Sequence, residues 1–235
     1  MKKAIRTSII VGCLGIAFGV VGATVSLAQG PMGQILNRMD AYNKSLTTLS
    51  ANVTMEKYDS TLRISETSSG TASYISKNAP QAKGKFYARI NWTRPAEEQI
   101  VVIGDDYELY RPRLGQVIYG KAQKGKVSGA SNALSFMNMN REQLKSNYDV
   151  SIIGSGPEKL DGTDVWHLLL TPKLATSYKT AELWVDSNGA PLQAKIIEKN
   201  NDTTTVRLSG RQENPKLDTS MFTPKYPSGV KRIAG

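Results

Sequence analysis

The chain is poor in the side chains that most often carry chemistry in proteins. Its 235 residues include one cysteine, Cys13, and one histidine, His167. A single cysteine excludes an intrachain disulfide, and one cysteine with one histidine excludes the clusters of these residues that bind zinc and other transition metals. We therefore expect no metal site and no cofactor. Stability has to come from packing.

The N-terminus has the features of a secretory signal. Basic residues within the first six positions precede the apolar run 9–21, and Ser26-Leu27-Ala28 supplies the small residues that a signal peptidase recognises. The run is shorter than the about 20 residues that span a membrane. We predict a cleaved signal peptide over 1–28 and a single exported domain over 29–235. An uncleaved anchor and a lipobox that lipidates Cys13 are the alternatives.

The chain is moderately basic. Its formal net charge is +10, and residues 29–235 carry +7, since three basic residues and no acid lie in 1–28. Lysines concentrate at Lys121, Lys124 and Lys126, which is typical of a solvated loop; an anionic membrane surface or an acidic partner is the functional alternative. Nucleic acid is a poor candidate, because no recognition motif accompanies the charge and export removes the target.

Two segments have helical patterns. Apolar residues between Pro31 and Leu49 recur at spacings of three and four, which predicts an amphipathic helix with one apolar face. A second helical region follows over 131–146, with apolar residues first and then Asn140-Arg141-Glu142-Gln143, a capping-box sequence.

Elsewhere the apolar period changes to two, which predicts antiparallel strands. The predicted strands contain Val53 and Met55, Leu62 and Ile64, Ala72 and Tyr74, 86–92, 100–103 and 107–110 around the turn Gly104-Asp105-Asp106, 116–119, 164–170, 180–186, 192–198 and 203–209. Each strand is apolar on one face and polar on the other, with Arg63, Arg89, Lys195 and Arg207 at outward positions. We predict a mainly β fold with helices (α+β), in which one curved sheet forms an incomplete antiparallel barrel and helices cover its concave face. Periodicity does not tell whether the interior is filled or hollow.

Several short motifs follow one another in order along this pattern. They are Trp92-Thr93-Arg94-Pro95, Glu98-Gln99-Ile100-Val101-Val102-Ile103-Gly104-Asp105-Asp106, Arg111-Pro112, Leu168-Leu169-Leu170-Thr171-Pro172, Leu183-Trp184-Val185-Asp186, Asn214-Pro215 with Phe222, and Pro227-Ser228-Gly229-Val230. No single motif is specific, but the succession resembles the periplasmic outer-membrane lipoprotein carriers, the LolA-like family. The resemblance extends over most of the chain after the signal.

The resemblance implies a periplasmic carrier and no enzyme. In that family a helical lid covers a hydrophobic cavity that holds lipoprotein acyl chains on their way from the inner to the outer membrane. The implied partners are an acylated lipoprotein or lipid, an inner-membrane donor complex and an outer-membrane acceptor, with the carrier itself a monomer. A 16-carbon chain costs about 12 kcal/mol to expose to water at roughly 0.8 kcal/mol per methylene, so transfer needs a shield.

The strand pattern and the resemblance together give candidate binding residues. The predicted cavity residues are Met55, Leu62, Ile64, Phe86, Ile90, Trp92, Leu109, Leu168, Leu183, Val185, Ile196, Val206 and Leu208. The predicted lid residues are Ile35, Met39, Leu134, Phe136 and Met137. Relatives have an Arg-Pro pair after the third strand that latches the lid; this chain lacks it, and Lys83, Lys85 and Arg89 are the possible substitutes.

Two other functional classes remain open. Related folds serve as sensor domains of envelope stress regulators, so a protein-binding module with a filled core is one alternative. An enzyme is the other alternative. Its candidate catalytic residue would be His167, the one histidine of the chain. No motif places a serine or a carboxylate beside His167, so we expect no catalytic role for it. Trp92, Trp166 and Trp184 fit either ligand contact or plain packing.

Overall fold

The computed structural model describes residues 30–121 and 139–235. In this part of the chain, two α-helices lie against one sheet of thirteen strands. The helices are α1 (Pro31–Ser45) and α2 (Arg141–Asn147). The strands are β1 (Thr48–Asp59), β2 (Ile64–Ile75), β3 (Tyr87–Arg94), β4 (Glu98–Ile103), β5 (Asp106–Arg111), β6 (Gln116–Lys121), β7 (Tyr148–Ile152), β8 (Glu158–Leu160), β9 (Thr163–Pro172), β10 (Tyr178–Asp186), β11 (Pro191–Glu198), β12 (Thr203–Glu213) and β13 (Lys231–Ala234). The predicted signal peptide and the predicted lid residues Leu134, Phe136 and Met137 lie outside the described residues.

The strands follow the order β13-β6-β5-β4-β3-β2-β1-β12-β11-β10-β9-β7, and β8 pairs with β9. Neighbours are antiparallel except for β13, which runs parallel to β6. The first and last strands of this order are not paired with each other in the described part of the chain, so the sheet is curved and unclosed. This confirms the predicted mainly β fold and its half-barrel form.

Helix α1 begins at Pro31, a residue whose fixed φ suits the first helical position. It ends at Ser45, where Leu46 adopts an extended conformation and its N–H donates to the carbonyl of Tyr42. The predicted continuation to Leu49 is wrong, since Leu49 belongs to β1. The predicted apolar face is confirmed, because the residues on it are buried against the sheet.

Helix α2 has the predicted capping box. The Asn140 side chain accepts a 2.8 Å hydrogen bond from the N–H of Gln143, and the Gln143 side chain accepts one of 3.0 Å from the N–H of Asn140. These bonds satisfy two donors that a helix start would otherwise leave free. Leu144 on the opposite face is fully buried in the core.

The main apolar core lies between the two helices and the concave face of β1 and β9–β12. Its fully buried members include Leu36, Met39, Leu168, Leu183 and Ile196. Close packing of this kind excludes water and leaves no room for rearrangement without a cavity. The core therefore fixes α1 on one half of the sheet.

The turn between β10 and β11 is clamped to α1. Gly189 in this turn has φ +90°, and a Cβ atom there would overlap the backbone carbonyl of Arg38. The Arg38 side chain in turn donates a 3.1 Å hydrogen bond to the carbonyl of Ser187. Only glycine fits this position, because it accepts the left-handed conformation and the close backbone approach together.

A smaller second core lies on the convex face. The segment that follows β12 crosses β3 and β4, where Phe222 is fully buried against Ile75 and Val101. The ring of Tyr87 packs on Phe222 with their centroids 5.6 Å apart. The C-terminal segment thereby covers the back of the sheet before it forms β13.

The sequence prediction was wrong for one strand and missed others. Leu62 does not form the predicted separate strand with Ile64. It lies in the turn between β1 and β2, where Arg63 has φ 57°. The three predicted segments over 53–74 therefore make two strands. Strands β7, β8 and β13, which have three to five residues each, were not predicted.

Candidate functional site

A continuous row of aliphatic side chains crosses the concave face of β3, β4, β5, β6 and β13. Ile90 pairs with Ile100, Ile100 with Leu109, Leu109 with Ile118, and Ile118 with Ile233. Directly paired residues of neighbouring strands point to the same face. Ile90 and Ile100 also pack against the main core, which places the whole row on the concave side.

The row has the length of a lipid chain. Five strands are separated by four spacings of about 4.8 Å, which gives about 19 Å. Half of a bilayer's hydrocarbon core, the depth of one layer of acyl chains, is about 15 Å. All five side chains of the row are half-buried, whereas the core under α1 is closed to solvent. The row therefore offers apolar surface that an alkyl chain can cover.

A second row runs beside the first. Ala88 pairs with Val102, Val102 with Tyr107, and Tyr107 with Gly120. A Cβ at position 120 would lie 3.0 Å from the Tyr107 ring, so the ring lies directly over the glycine. The absence of a side chain at Gly120 keeps this part of the face shallow and apolar.

An ion pair bounds the aliphatic row on its other side. Arg111 Nε lies 3.1 Å from Glu98 Oε1, and about a third of each side chain is exposed. Glu98 is the strand partner of Trp92, which is buried at the border between the row and the main core. Charge is thus confined to one margin of the apolar face.

Most predicted cavity residues lie on the concave side, in two different settings. The main core contains Met55, Trp92, Leu168, Leu183, Val185, Ile196, Val206 and Leu208, with Ile90 packed against it. Leu109 belongs to the aliphatic row. Phe86 is half-buried just before β3. Leu62 and Ile64 are 65% and 60% exposed at one end of the sheet, away from both groups.

The predicted lid and latch residues are also dispersed. Ile35 and Met39 of α1 are packed in the main core. Lys83 and Lys85 are exposed in the loop before β3. Arg89 points to the convex side, where its Nη1 donates a 2.5 Å hydrogen bond to the carbonyl of Met221. In this structure Arg89 therefore holds the C-terminal segment.

Sequence reasoning missed three members of the row: Ile100, Ile118 and Ile233. The alternation of Ile100 with Val101 and of Ile118 with Tyr119 was a usable signal, since it puts Ile100 and Ile118 on one face of their strands. Ile233 gave no signal, because a strand of four residues is too short for its period to be recognised.

His167 has charged neighbours that the sequence did not predict. Its Nε2 lies 3.2 Å from Glu182 Oε2 and its Nδ1 lies 3.4 Å from Glu158 Oε1. The imidazole stacks on the Trp184 ring at 4.0 Å, and the indole N–H donates to Glu158 at 2.5 Å. No sequence motif places these carboxylates beside His167; the pairing of β9 with β10 and with β8 does. The imidazole Nε2 and the indole N–H thus each have a carboxylate partner on the side of β9 and β10 opposite the core.

Neither a candidate metal centre nor a membrane-spanning helix is found in residues 30–121 and 139–235. Within these ranges, the His, Cys, Asp and Glu side chains form no group of three or more that could hold a metal ion. Neither described helix combines the length and the apolar character needed to cross a bilayer.

Comparisons with known proteins agree with the geometry. A sequence-family model, that of the outer membrane lipoprotein carrier protein LolA, matches residues 70–225. Among solved structures, an uncharacterized conserved protein from Thermus thermophilus is similar with 14% identity and a TM-score of 0.54, over 87% of this chain and 99% of that one. MucB is similar with 16% identity and a TM-score of 0.52, over 82% and 62% of the two chains. The structure of the Pseudomonas aeruginosa MucA/MucB complex is similar with 15% identity and a TM-score of 0.48, over 81% of this chain and 60% of that one. At these identities structural likeness shows the fold alone. No curated protein sequence matched the chain.

Proposed function

The chain belongs to the outer membrane lipoprotein carrier family LolA, and we propose that it binds the acyl chains of a lipoprotein or lipid along its concave apolar rows. In this proposal it works in the periplasm, takes its cargo from an inner-membrane donor and delivers it to an outer-membrane acceptor. The observation that supports it best is the register-aligned row from Ile90 to Ile233.

The row suits reversible binding of hydrocarbon. Each methylene removed from water contributes roughly 0.8 kcal/mol, so a chain laid along about 19 Å of aliphatic surface recovers several kcal/mol. The row itself has no charged side chain, and its ion pair lies at the margin. Without polar groups that hold the cargo, release depends only on a more favourable apolar site elsewhere.

The lid belongs to the same proposal. Ile35 and Met39 are fixed in the main core, which leaves the predicted lid residues Leu134, Phe136 and Met137 as the candidates to cover the open half. In the sequence these residues follow β6, the strand that carries Ile118. The flexible thioether of Met137 would adapt to cargo of varying shape.

A direct test is native mass spectrometry of the protein purified from the cell envelope without detergent. We expect adducts with the masses of acyl chains or lipids, and displacement of a fluorescent fatty-acid probe by the extracted material. A ligand-free mass under gentle conditions, combined with failure to bind the probe, would contradict the proposal.

Neighbouring residues of β6 provide a matched pair of variants. Ile118→Glu puts a charge on the aliphatic row, whereas Tyr119→Glu puts the same charge on the convex face, where Tyr119 is 41% exposed. Because an acyl chain would desolvate the carboxylate at position 118, we expect Ile118→Glu to weaken probe binding roughly 100-fold. Tyr119→Glu should bind like the wild type. Equal affinities of two folded variants would place the cargo elsewhere.

A protein-binding envelope module is the second candidate function. It is supported by the fold shared with MucB, a protein whose complex with MucA has been solved. The closed core under α1 also fits a protein that needs no large cavity. Absence of acyl adducts, together with capture of one envelope protein by the folded chain, would favour this function over transport.

A further inference from the structure

Three connections at one end of the sheet each expose a leucine. Leu62 lies in the turn between β1 and β2, Leu114 in the turn between β5 and β6, and Leu174 in the loop between β9 and β10; they are 65%, 59% and 79% exposed. Ile64, beside the first turn, is 60% exposed. Of the six large apolar side chains that are exposed in the described residues, these four lie at one end of the sheet, and such an uneven distribution marks an interaction surface.

The strand directions bring these connections to the same end. Tyr58 near the end of β1 pairs with Ser65 of β2 and with Thr203 of β12. A groove of about 700 Å³ lies between the turn after β1, the loop before β10 and the turn after β11. Its lining contains Ile64 and Ser177, with the charged residues Lys57, Lys199, Asp59, Glu66, Glu198 and Asp202. The turn after β1, the loop before β10 and the turn after β11 therefore form one surface. We call the connections 60–63, 112–115 and 173–177 the docking end.

A cation stands next to each exposed leucine in the docking end. Arg63 follows Leu62, Arg113 precedes Leu114, and Lys173 precedes Leu174, and these connections contain no Asp or Glu. Lys173 Nζ also donates a 2.6 Å hydrogen bond to the carbonyl of Lys145 and lies 3.7 Å from Asp149 Oδ1. Lysine and arginine beside apolar side chains are the pattern of surfaces that enter the interface of anionic membranes. We propose that the docking end contacts the surface of an anionic lipid bilayer, with the leucines in the interface and the cations at the lipid phosphates.

Backbone N–H groups in the turn between β1 and β2 have hydrogen-bond partners within the protein. Asp59 Oδ1 accepts hydrogen bonds from the N–H groups of Thr61 and Leu62, at 2.9 and 2.7 Å. Asp202 Oδ1 accepts one from the N–H of Ser60, at 2.8 Å. The N–H groups of Ser60, Thr61 and Leu62 therefore keep their partners when Leu62 enters the interface.

The spacing of the leucines favours a bilayer over a protein partner. They lie on separate connections, and β3 and β4 separate the strand pair that carries Leu62 from the strand pair that carries Leu114. A protein interface needs a continuous, closely packed apolar centre. A fluid interface accepts separate side chains, each with its own cation. The proposal concerns only this end of the sheet and holds whatever the concave face binds.

The first experiment reads insertion at single positions. Cysteine replaces Leu62, Leu174 or, as the control on the convex face, Met221, which is 46% exposed. Cys13→Ser removes the native thiol wherever residues 1–28 are retained. Each variant carries an NBD fluorophore and is mixed with vesicles of phosphatidylcholine containing 30% phosphatidylglycerol. We expect blue-shifted, brighter emission at positions 62 and 174 and an unchanged spectrum at position 221. Unchanged spectra at 62 and 174, or equal shifts at all three positions, would overturn the proposal.

The second experiment measures the contributions of the leucines and of the cations separately. It uses protein purified from the cell envelope. We expect Leu62→Ser/Leu174→Ser and Arg63→Gln/Arg113→Gln each to lower the partition coefficient on the anionic vesicles at least about tenfold. Met221→Ser and Lys77→Gln/Lys216→Gln remove an exposed apolar side chain and two exposed lysines elsewhere, and should match the wild type. Binding that persists in both docking-end variants, or capture of an acidic protein with no vesicle binding, would overturn it. Probe binding on the concave face is measured in parallel and should be the same in all of these variants.

Discussion

The hydroxyl of Tyr226 donates a 2.5 Å hydrogen bond to Oε2 of Glu108. Arg232 donates one of 2.5 Å to the other carboxylate oxygen. Glu108 is on the convex side of β5, whereas Tyr226 and Arg232 belong to the C-terminal segment that ends in β13. This carboxylate therefore fastens β13 to the sheet, and with it Ile233, the last member of the aliphatic row.

Attachment of β13 should weaken in acid. Burial alone raises the pKa of Glu108, but hydrogen bonds from Arg232 and Tyr226, with the Arg232 charge, lower it below the usual value. A carboxyl group whose folded-state pKa is depressed adds stability above its unfolded-state pKa, and this is lost as the pH falls through the folded-state value. We expect the hydrogen-exchange protection factors of residues 231–234, corrected for the intrinsic exchange rate at each pH, to fall below about pH 4.

The matching substitution is Glu108→Gln. It should remove about 1 kcal/mol at pH 7, because the pair is partly exposed and screened by solvent, and it should flatten the acid limb of a plot of melting temperature against pH. Glu97→Gln, an exposed carboxylate in the turn after β3, is the control and should keep that limb. Identical pH profiles for both variants would show that Glu108 does not hold β13.

Gly189→Ala should be strongly destabilising. The substitution forces alanine to φ +90° and drives its Cβ into the Arg38 backbone. Gly154 has a similar φ of +84° with nothing within 4 Å, so Gly154→Ala isolates the conformational cost. In chemical denaturation we expect about 1 kcal/mol for Gly154→Ala and about 3 kcal/mol for Gly189→Ala. Equal losses would mean that the turn does not rest on α1.

Met39→Ala should lower stability more than it changes cargo binding. Met39 is fully buried under α1, where truncation leaves a cavity that costs about 2–4 kcal/mol. Denaturant unfolding and probe affinity, measured on the same preparation, separate the two effects. A large change in affinity with little loss of stability would indicate that Met39 acts as a lid residue, as the sequence predicts.

His167→Gln should leave acyl binding unchanged. The imidazole lies on the convex side between two carboxylates and the Trp184 ring. Its replacement should cost about 1–2 kcal/mol of stability through the lost stacking and the lost hydrogen bond to Glu182. The probe assay and a thermal melt test both parts. A folded His167→Gln variant that no longer binds cargo would indicate a functional imidazole.

The sequence predicted the local features of the fold well. The capping box at Asn140, the turn at Gly104-Asp105 and the four strands over 164–209 depend on neighbouring residues, and the structure confirms them. Leu62 was misplaced because a turn residue that happens to continue an alternating pattern looks like strand. Strand β13 pairs with β6, more than 100 positions earlier, and no local pattern reports such a pairing.

The candidate site was harder to predict for a related reason. Leu109 and Leu183 both lie on the concave face, and period-two alternation finds them equally. Which of them lies under α1 depends on tertiary packing: Leu183 is fully buried and Leu109 half-buried. The partners of His167 likewise depend on the register of β9 against β10, which places Trp184 opposite it. Sequence gives the face, and the fold decides which part of it stays open.

Strand β13 also affects how the molecule behaves at high concentration. Without it, β6 would be the edge strand on that side of the sheet. Its unpaired backbone donors and acceptors could then pair with another copy of the chain. β13 occupies that position with only four residues, and two of them are Lys231 and Arg232. A short, charged border is a poor template for sheet extension. The strand that completes the aliphatic row thus also limits the pairing of this sheet edge with another copy of the chain.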